Sequence, residues 1–362
     1  MNTMFQTFAI LIACAAAGAS DGSGRRAVRW GIMGTGTIAT DFVRVLSGME
    51  DAEVVAVGSR SAEKAASFAA AHNVVGARAH GSYDDLTSDA SVDVVYIATP
   101  SARHVADSLL CLAAGKHVLC EKSMAATAED AELVLALARE RRLFFLHGVW
   151  SRFFPAMRAI REVIDSGAIG TVRSAHASFC QADGAGSCSA MAETGIYCVQ
   201  FLSWAFGGQE AEVTGVAYEL DRESGHDTHV AATLRFGAAG ADGGGIGTLE
   251  CSLRHASPRE ALICGTEGVI RVPFPFWCPT RFTVQRMEGA ASQQMGEQKE
   301  FSFDLPPAEG PFHFVHSAGL AHEVAAVHAC LRAGETEAAE FDSDECLRVM
   351  RLVSQVRAHF VS

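Results

Sequence analysis

The stretch Val28 to Phe42, VRWGIMGTGTIATDF, constrains the chain more than any other. A short apolar run, Val28 to Met33, ends in Gly34-x-Gly36-x-x-Ala39 and passes straight into Thr37 to Met49, where apolar residues recur at helical spacing. The order is strand, tight glycine turn, helix N-terminus. Such a turn lets the backbone approach a pyrophosphate, which the unpaired N–H groups and positive dipole end of the helix bind. Gly34 would make the turn, Gly36 would admit the phosphates, and Ala39 would let the helix lie close to the strand. A chain with 34 glycines produces a G-x-G by chance, so context decides. A second apolar run, Val54 to Val57, follows at the distance one βαβ unit requires and ends at Gly58-Ser59-Arg60-Ser61.

The end of that second strand points to the cofactor. An acidic residue there would bond the ribose 2′-hydroxyl of NAD, whereas Ser59, Arg60 and Ser61 set a guanidinium between two hydroxyls, which suits the 2′-phosphate of NADP. Arg60 lies 24 positions after Gly36, near the spacing expected of such a unit. The alternative reading of Arg60 is a solvated arginine opening the next helix.

Downstream, strand and helix signals alternate: a helix Ala62 to His72 opened by Ser61, a β-branched run Val92 to Ala98, a helix Arg103 to Ala114, a strand His117 to Glu121. Thr127-x-x-Asp130 is a capping box opening a helix to about Arg142, and Leu143 to Val149 is a further strand. Alternation of this kind predicts α/β architecture, a doubly wound parallel sheet with helices on both faces, over residues 27–150. Beyond it a helix Pro155 to Ser166, a strand Val172 to Phe179 and a helix Tyr197 to Phe206 lead into strands Glu212 to Leu220, His229 to Phe236, Gly247 to Leu253, Glu260 to Val272 and Phe282 to Arg286. Short connections make these a mostly antiparallel sheet. The glycine-rich 237–247 has no helix after it and reads as a loop. Two helices, His316 to Ala333 and Asp342 to Phe360, close a second α/β domain over 151–362.

With 42 acidic against 29 basic residues the formal charge is −13, and no basic block exists, which argues against a nucleic-acid partner. No apolar run reaches the ~18 residues of a membrane span. Phe8 to Ala17, followed by an A-x-A site, makes residues 1–26 a leader that reads as signal-like or disordered, yet no Lys or Arg precedes the apolar run. A nicotinamide cofactor favours the cytoplasm; secretion or organelle targeting by the leader is the alternative. The 11 cysteines contain no C-x-x-C and read as small, reduced, buried hydrophobes. His313, His316, His322 and His328 lack the spacing of a zinc motif, so no metal is expected.

GIMGTGTIA, the run YIATPSARHVADSLLCLAAGKHVLCEKSM and an antiparallel α/β domain together resemble the glucose-fructose oxidoreductase/inositol dehydrogenase family. WSRFFPA at 150–156, TGIYCVQF at 194–201, FGGQ at 206–209, HDT at 226–228 and FWCPT at 276–280 are similar to a dimeric branch that oxidises trans-dihydrodiols of arenes and D-xylose with NADP. The resemblance implies a cofactor site of Gly34, Gly36, Thr37, Ile38, Ser59, Arg60, Thr99, Pro100, His104, Glu121 and Lys122. It implies catalysis by Lys122, from the family's Glu-Lys-Pro, and by Tyr197, which stands where many members have histidine. Oxidising an alcohol by hydride transfer needs a group to accept the hydroxyl proton. A tyrosine has an ordinary pKa near 10, and Lys122 is the cation expected to lower it. The resemblance also implies a substrate wall of Trp150 and Phe179, contact from Glu193, and a homodimer formed on the open sheet. Departures cluster on the substrate side: Ser123 for proline, Glu193 for aspartate, His147 for glutamate, and a shortened Gln181 to Ala192. The expected function is an NADP-dependent oxidoreductase acting on a small cyclic diol or aldose. Another sugar or inositol dehydrogenase, or a catalytically weak NADP(H)-binding sensor, are the alternatives.

Overall fold

In the computed structural model, residues 26–74, 76–237, 244–288 and 294–360 are described. The leader and most of the 237–247 loop lie outside them.

The first half alternates as its periodicity predicts. Its elements are β1 (Val28–Met33), α1 (Thr37–Ser47), β2 (Ala52–Gly58), α2 (Ala62–Ala71), β3 (Arg78–His80), α3 (Tyr83–Ser88), β4 (Val94–Ile97), α4 (His104–Ala113), β5 (His117–Glu121), α5 (Ala128–Arg141) and β6 (Phe145–Gly148). Ser61 and Thr127 cap α2 and α5 through their hydroxyls, accepting from Lys64 N and Asp130 N. β3 and α3 carry too few apolar residues for the periodicity reading to find. All six strands are parallel, in the order β3-β2-β1-β4-β5-β6. The order reverses direction between β1 and β4, and the carboxyl ends of these two strands open the crevice where ligands bind in such sheets.

The second half starts with α6 (Pro155–Asp165) and β7 (Val172–Cys180), and a π-helical turn, Met191–Gly195, leads into α7 (Ile196–Ala205). Seven strands follow: β8 (Ala211–Leu220), β9 (Asp227–Phe236), β10 (Gly245–Ser252), β11 (Ala261–Gly265), β12 (Gly268–Val272), β13 (Arg281–Glu288) and β14 (Gln294–Ser302). Two expectations need correction. The run Glu260 to Val272 is a hairpin of two strands, because Thr266-Glu267 turns the chain and Ala261 faces Val272. β14 is polar and largely exposed, so it carries no strand-like apolar signal. The sheet, β14-β13-β12-β11-β7-β10-β9-β8, is antiparallel except for the parallel pair β7–β10. Its inner face buries Ala177, Phe179, Leu249, Cys251 and Val230, partly beneath α7.

The closing helices α8 (Leu320–Ala333) and α9 (Ser343–Arg357) return to the first sheet. Trp30 of β1 donates its indole N–H to His328 of α8 at 3.0 Å, and Asp51 lies 2.9 Å from the other ring nitrogen. Ser354 of α9 accepts the backbone N–H of Ala128. No helix among the described residues is long and apolar enough to cross a membrane. The ten described cysteines are all unpaired.

One buried cation joins three elements. Arg152, just after β6, gives its Nε to Gln200 Oε1 at 2.5 Å in α7 and its Nη2 to Glu345 Oε1 at 2.5 Å in α9. Its side chain is 1% exposed, so removing Glu345 alone leaves a guanidinium with no counter-charge in a dry site. Glu345→Ala should cost about 3–5 kcal/mol in urea unfolding, and Arg152→Met with Glu345→Leu should recover most of it. A Glu345→Ala chain as stable as the parent would mean that this pair does not hold the junction.

Candidate active site

A cavity of about 870 Å³ lies between the carboxyl ends of the first sheet and the inner face of the second. Its first wall is the glycine turn. Gly34 has φ +104°, and a β-carbon there would lie 2.7 Å from the Ala98 carbonyl oxygen, so only glycine allows β1 and β4 to end this close. Gly36 is different: a β-carbon would meet nothing nearer than 4.0 Å, and the space beside it is the cavity. Gly36 also caps α1, whose N-terminus receives no side-chain hydrogen bond. The turn thus offers unpartnered helix N–H groups to a cleft that a side chain would fill, which fits a phosphate.

Every residue of the expected site lines this cavity. Gly34, Gly36, Thr37 and Ile38 come from the turn, Ser59 and Arg60 from the end of β2, Thr99, Pro100 and His104 from the end of β4, and Glu121 and Lys122 from β5. Trp150, Phe179, Glu193 and Tyr197 form the opposite side. Thr99 donates to Asp107 at 2.7 Å, and Arg103 pairs with the same carboxylate at 2.6 Å.

His104 is buried with both ring nitrogens on carbonyl oxygens, Nδ1 at 2.9 Å from Ser123 and Nε2 at 2.8 Å from Thr99. Two acceptors require two N–H donors, so the ring is an imidazolium. Burial opposes that charge, but the adjoining Cys120 sulfur and the two carbonyls outweigh it and raise the pKa from 6.5 to about 9. The cation fastens the segment after Lys122 to the end of β4.

The chemistry-bearing pair sits across the cleft. Lys122 Nζ donates to Glu193 Oε1 at 2.7 Å and to the Glu193 carbonyl at 3.3 Å, and lies 5.9 Å from the centre of the Tyr197 ring. The π-helical turn that presents Glu193 is held by Asp227, which accepts the N–H of Met191 at 2.8 Å. The Tyr197 hydroxyl accepts the indole N–H of Trp150 at 3.0 Å. Here an expectation is overturned. The Tyr197 pKa is not lowered in this arrangement; burial first, then the carboxylates of Glu121 and Glu193, push it well above its ordinary value. The ammonium is already satisfied by Glu193. Glu121 accepts the Tyr96 hydroxyl at 2.6 Å and is itself raised by burial.

The aromatic wall is larger than the sequence suggests. Phe179 stacks on Trp277 at 3.9 Å and lies 5.9 Å from Tyr197, with Phe274 edge-on to Trp277. Trp277 belongs to FWCPT and was visible there without a role; Arg259, Lys64, His313 and Phe314 also line the cavity and carry no motif. The other histidines have separate partners: His316 faces the Cys278 carbonyl, His322 the ring of Phe154, and His328 Trp30 and Asp51. Cys180, Glu250 and His255 bring ligand-type atoms within 4.8 Å of one another, and none of them lines the cavity.

A glycine turn at the switch point of a six-stranded parallel sheet, facing a lysine, a tyrosine and an aromatic wall, defines a dinucleotide-binding oxidoreductase architecture. The chain belongs to the Gfo/Idh/MocA oxidoreductase family: residues 28–148 match the oxidoreductase family with an NAD-binding Rossmann fold, and residues 157–271 match the GFO/IDH/MocA C-terminal domain. It is 37% identical to trans-1,2-dihydrobenzene-1,2-diol dehydrogenase of Homo sapiens over 341 residues, 91% of this chain and 96% of that protein. It is 32% identical to the Danio rerio protein of the same name, with the same coverage. Among solved structures, a 3-ketoreductase from Actinomadura kijaniata in complex with TDP-benzene and NADP is 25% identical, with TM-score 0.76 over 92% of this chain and 97% of that one. A levoglucosan dehydrogenase complexed with NADH and levoglucosan shares the fold at 17% identity and TM-score 0.77, covering 92% and 97%.

The His104 geometry carries a pH dependence. Its folded pKa of about 9 exceeds the ordinary 6.5, so its contribution to stability is complete below pH 6.5 and lost as pH rises through about 9. The denaturation midpoint of the parent should therefore fall over that window more than that of His104→Gln. Parallel curves for the two proteins would exclude a charged His104.

Proposed function

We propose that the chain is an NADP-dependent dehydrogenase that oxidises a trans-dihydrodiol or an aldose such as D-xylose. In this reading, residues 27–150 hold the cofactor, residues 151–362 supply the substrate side, and the open face of the second sheet is a homodimer contact. The observation that carries the reading is the meeting, in one cavity, of the Gly34–Gly36 turn, Ser59 with Arg60, and Lys122 with Tyr197. The names of its relatives and the NADP held by its structural neighbour support it.

Held by the Gly34–Gly36 turn with Ser59 and Arg60, a nicotinamide cofactor would supply the hydride acceptor. The chain does the rest. Arg60 and Ser59 take the 2′-phosphate with charge-assisted hydrogen bonds. Trp150, Phe179 and Trp277 exclude water and seat a flat ring or sugar face. Glu193 accepts a substrate hydroxyl, and Lys122 donates to the reacting oxygen, which places the substrate beside the ion pair that holds the ammonium. Tyr197 accepts the hydroxyl proton during oxidation and returns it during carbonyl reduction. Because its pKa is raised, the neutral hydroxyl is ready to donate, whereas oxidation requires the phenolate.

A second reading rests on one observation: Glu193 occupies the ammonium of Lys122. If that pair does not open to substrate, the protein binds NADP(H) without turnover.

NADP+ reduction with D-xylose and with a benzene trans-dihydrodiol separates the two readings. Lys122→Met should lower kcat by roughly 10²–10⁴-fold, and Arg60→Ala should raise KM for NADP+ far more than for NAD+. Tight NADPH binding without turnover across both substrates would establish the second reading. Oxidation by the parent should accelerate steadily toward alkaline pH while carbonyl reduction stays flat; the same profile in both directions would remove Tyr197 from the proton step.

A further inference from the structure

The substrate end of the cavity contains a cation that the proposed chemistry does not use. Arg259 lines the cavity, and its Cζ lies 4.5 Å from the centre of the Phe274 ring and 6.0 Å from that of Trp277. The path from the proton-transfer group is short. Tyr197 to Phe179 is 5.9 Å, Phe179 to Trp277 is 3.9 Å, and the guanidinium lies 6.0 Å from the Trp277 ring centre.

Three features set this arginine apart. Its Nε is buried and has no hydrogen-bond partner. Among the described residues no carboxylate pairs with its guanidinium, whereas Arg103 and Lys122 in the same cavity have Asp107 and Glu193. Its backbone has φ +53°, a left-handed conformation that a long side chain seldom adopts. Ser257 Oγ accepts its N–H at 3.2 Å, and Phe276 N donates to its carbonyl at 3.5 Å, so the loop is fixed in this form. A buried donor left unpaired is costly, and a guanidinium held beside the Phe274 ring keeps N–H groups available for a planar acceptor.

We infer that Arg259 forms an anion subsite and that the substrate of this chain carries a carboxylate, with its reacting hydroxyl at Lys122 and Tyr197 and its ring on Phe179 and Trp277. The inference rests on the dehydrogenase reading above and narrows it from neutral diols and sugars to their acid counterparts: a dihydrodiol of an aromatic acid, or a hexuronic acid. Arg60, just after β2, and Lys64, in the first turn of α2, serve the cofactor side, which leaves Arg259 for the substrate.

The test compares pairs that differ only in the acid: D-glucuronate with D-glucose, and the dihydrodiol of benzoate with that of benzene. The parent should prefer the acid in kcat/KM by about ten- to hundredfold, the range expected of a hydrogen bond to a charged partner. The preference should reside in KM, vanish in Arg259→Met and survive in part in Arg259→Lys, which keeps the charge but loses the fork. An equal or reversed preference in the parent, or a preference unchanged in Arg259→Met, overturns the subsite. If no pair is turned over, the dehydrogenase reading fails separately, and benzoate binding to the NADPH complex, read by tryptophan fluorescence, decides the subsite. Binding to the parent and not to Arg259→Met sustains it; no difference between them ends it.

Discussion

The Ala98 carbonyl oxygen stands 2.7 Å from where a β-carbon of residue 34 would be. That contact sets the distance between the ends of β1 and β4, and the order of the sheet reverses there. Everything in the cleft is spaced from this turn. α1 begins at the residue after Gly36, Thr99 and Pro100 leave β4 beside it, and Lys122 leaves β5 one strand further along. A larger residue at 34 would meet backbone, which has no rotamer to give way, so the constraint acts on the position of strands and not merely on a side chain.

The second constraint is the handling of charge around a deep cleft. Asp41 on α1 is fully buried and accepts the N–H groups of His313 and Phe314 and the hydroxyl of Ser317, which carries the segment before α8 over the cavity. His104 fastens the segment after Lys122 by two carbonyls, and Glu193 fixes the ammonium itself. Buried polar groups so fully satisfied hold their geometry, because any movement leaves a donor or acceptor unpaired. At Tyr197 the oxygen accepts the Trp150 N–H, and burial, then the carboxylates of Glu121 and Glu193, hold the hydroxyl neutral.

Helices and strands with strong periodicity were legible in the sequence. β1, α1 and the capping box at Thr127 follow from local pattern, since apolar spacing and a hydroxyl cap are themselves the physical cause of those elements. The polar strand β14, the short β3 and α3, and the hairpin inside 261–272 were not, because their stability comes from neighbours in the sheet and not from their own residues. The candidate site divides in the same way. Residues inside motifs were found, whereas Arg259 and Phe314 reach the cavity from loops whose course depends on distant partners, Phe276 for one and Asp41 for the other.

By itself the sequence determined the class of fold, the glycine turn and the residues that gather around it, because backbone sterics at glycine and the period of apolar residues act over a few positions. Only the tertiary structure decided the electrostatic state of those residues. Burial of Tyr197, then the carboxylates of Glu121 and Glu193, raise its pKa where proximity to a lysine suggested a lowered one, and Glu193 reaches the site from 71 positions beyond Lys122. A pKa reports every charge and every loss of water around a group, and those are fixed only when chain segments far apart in sequence have packed together.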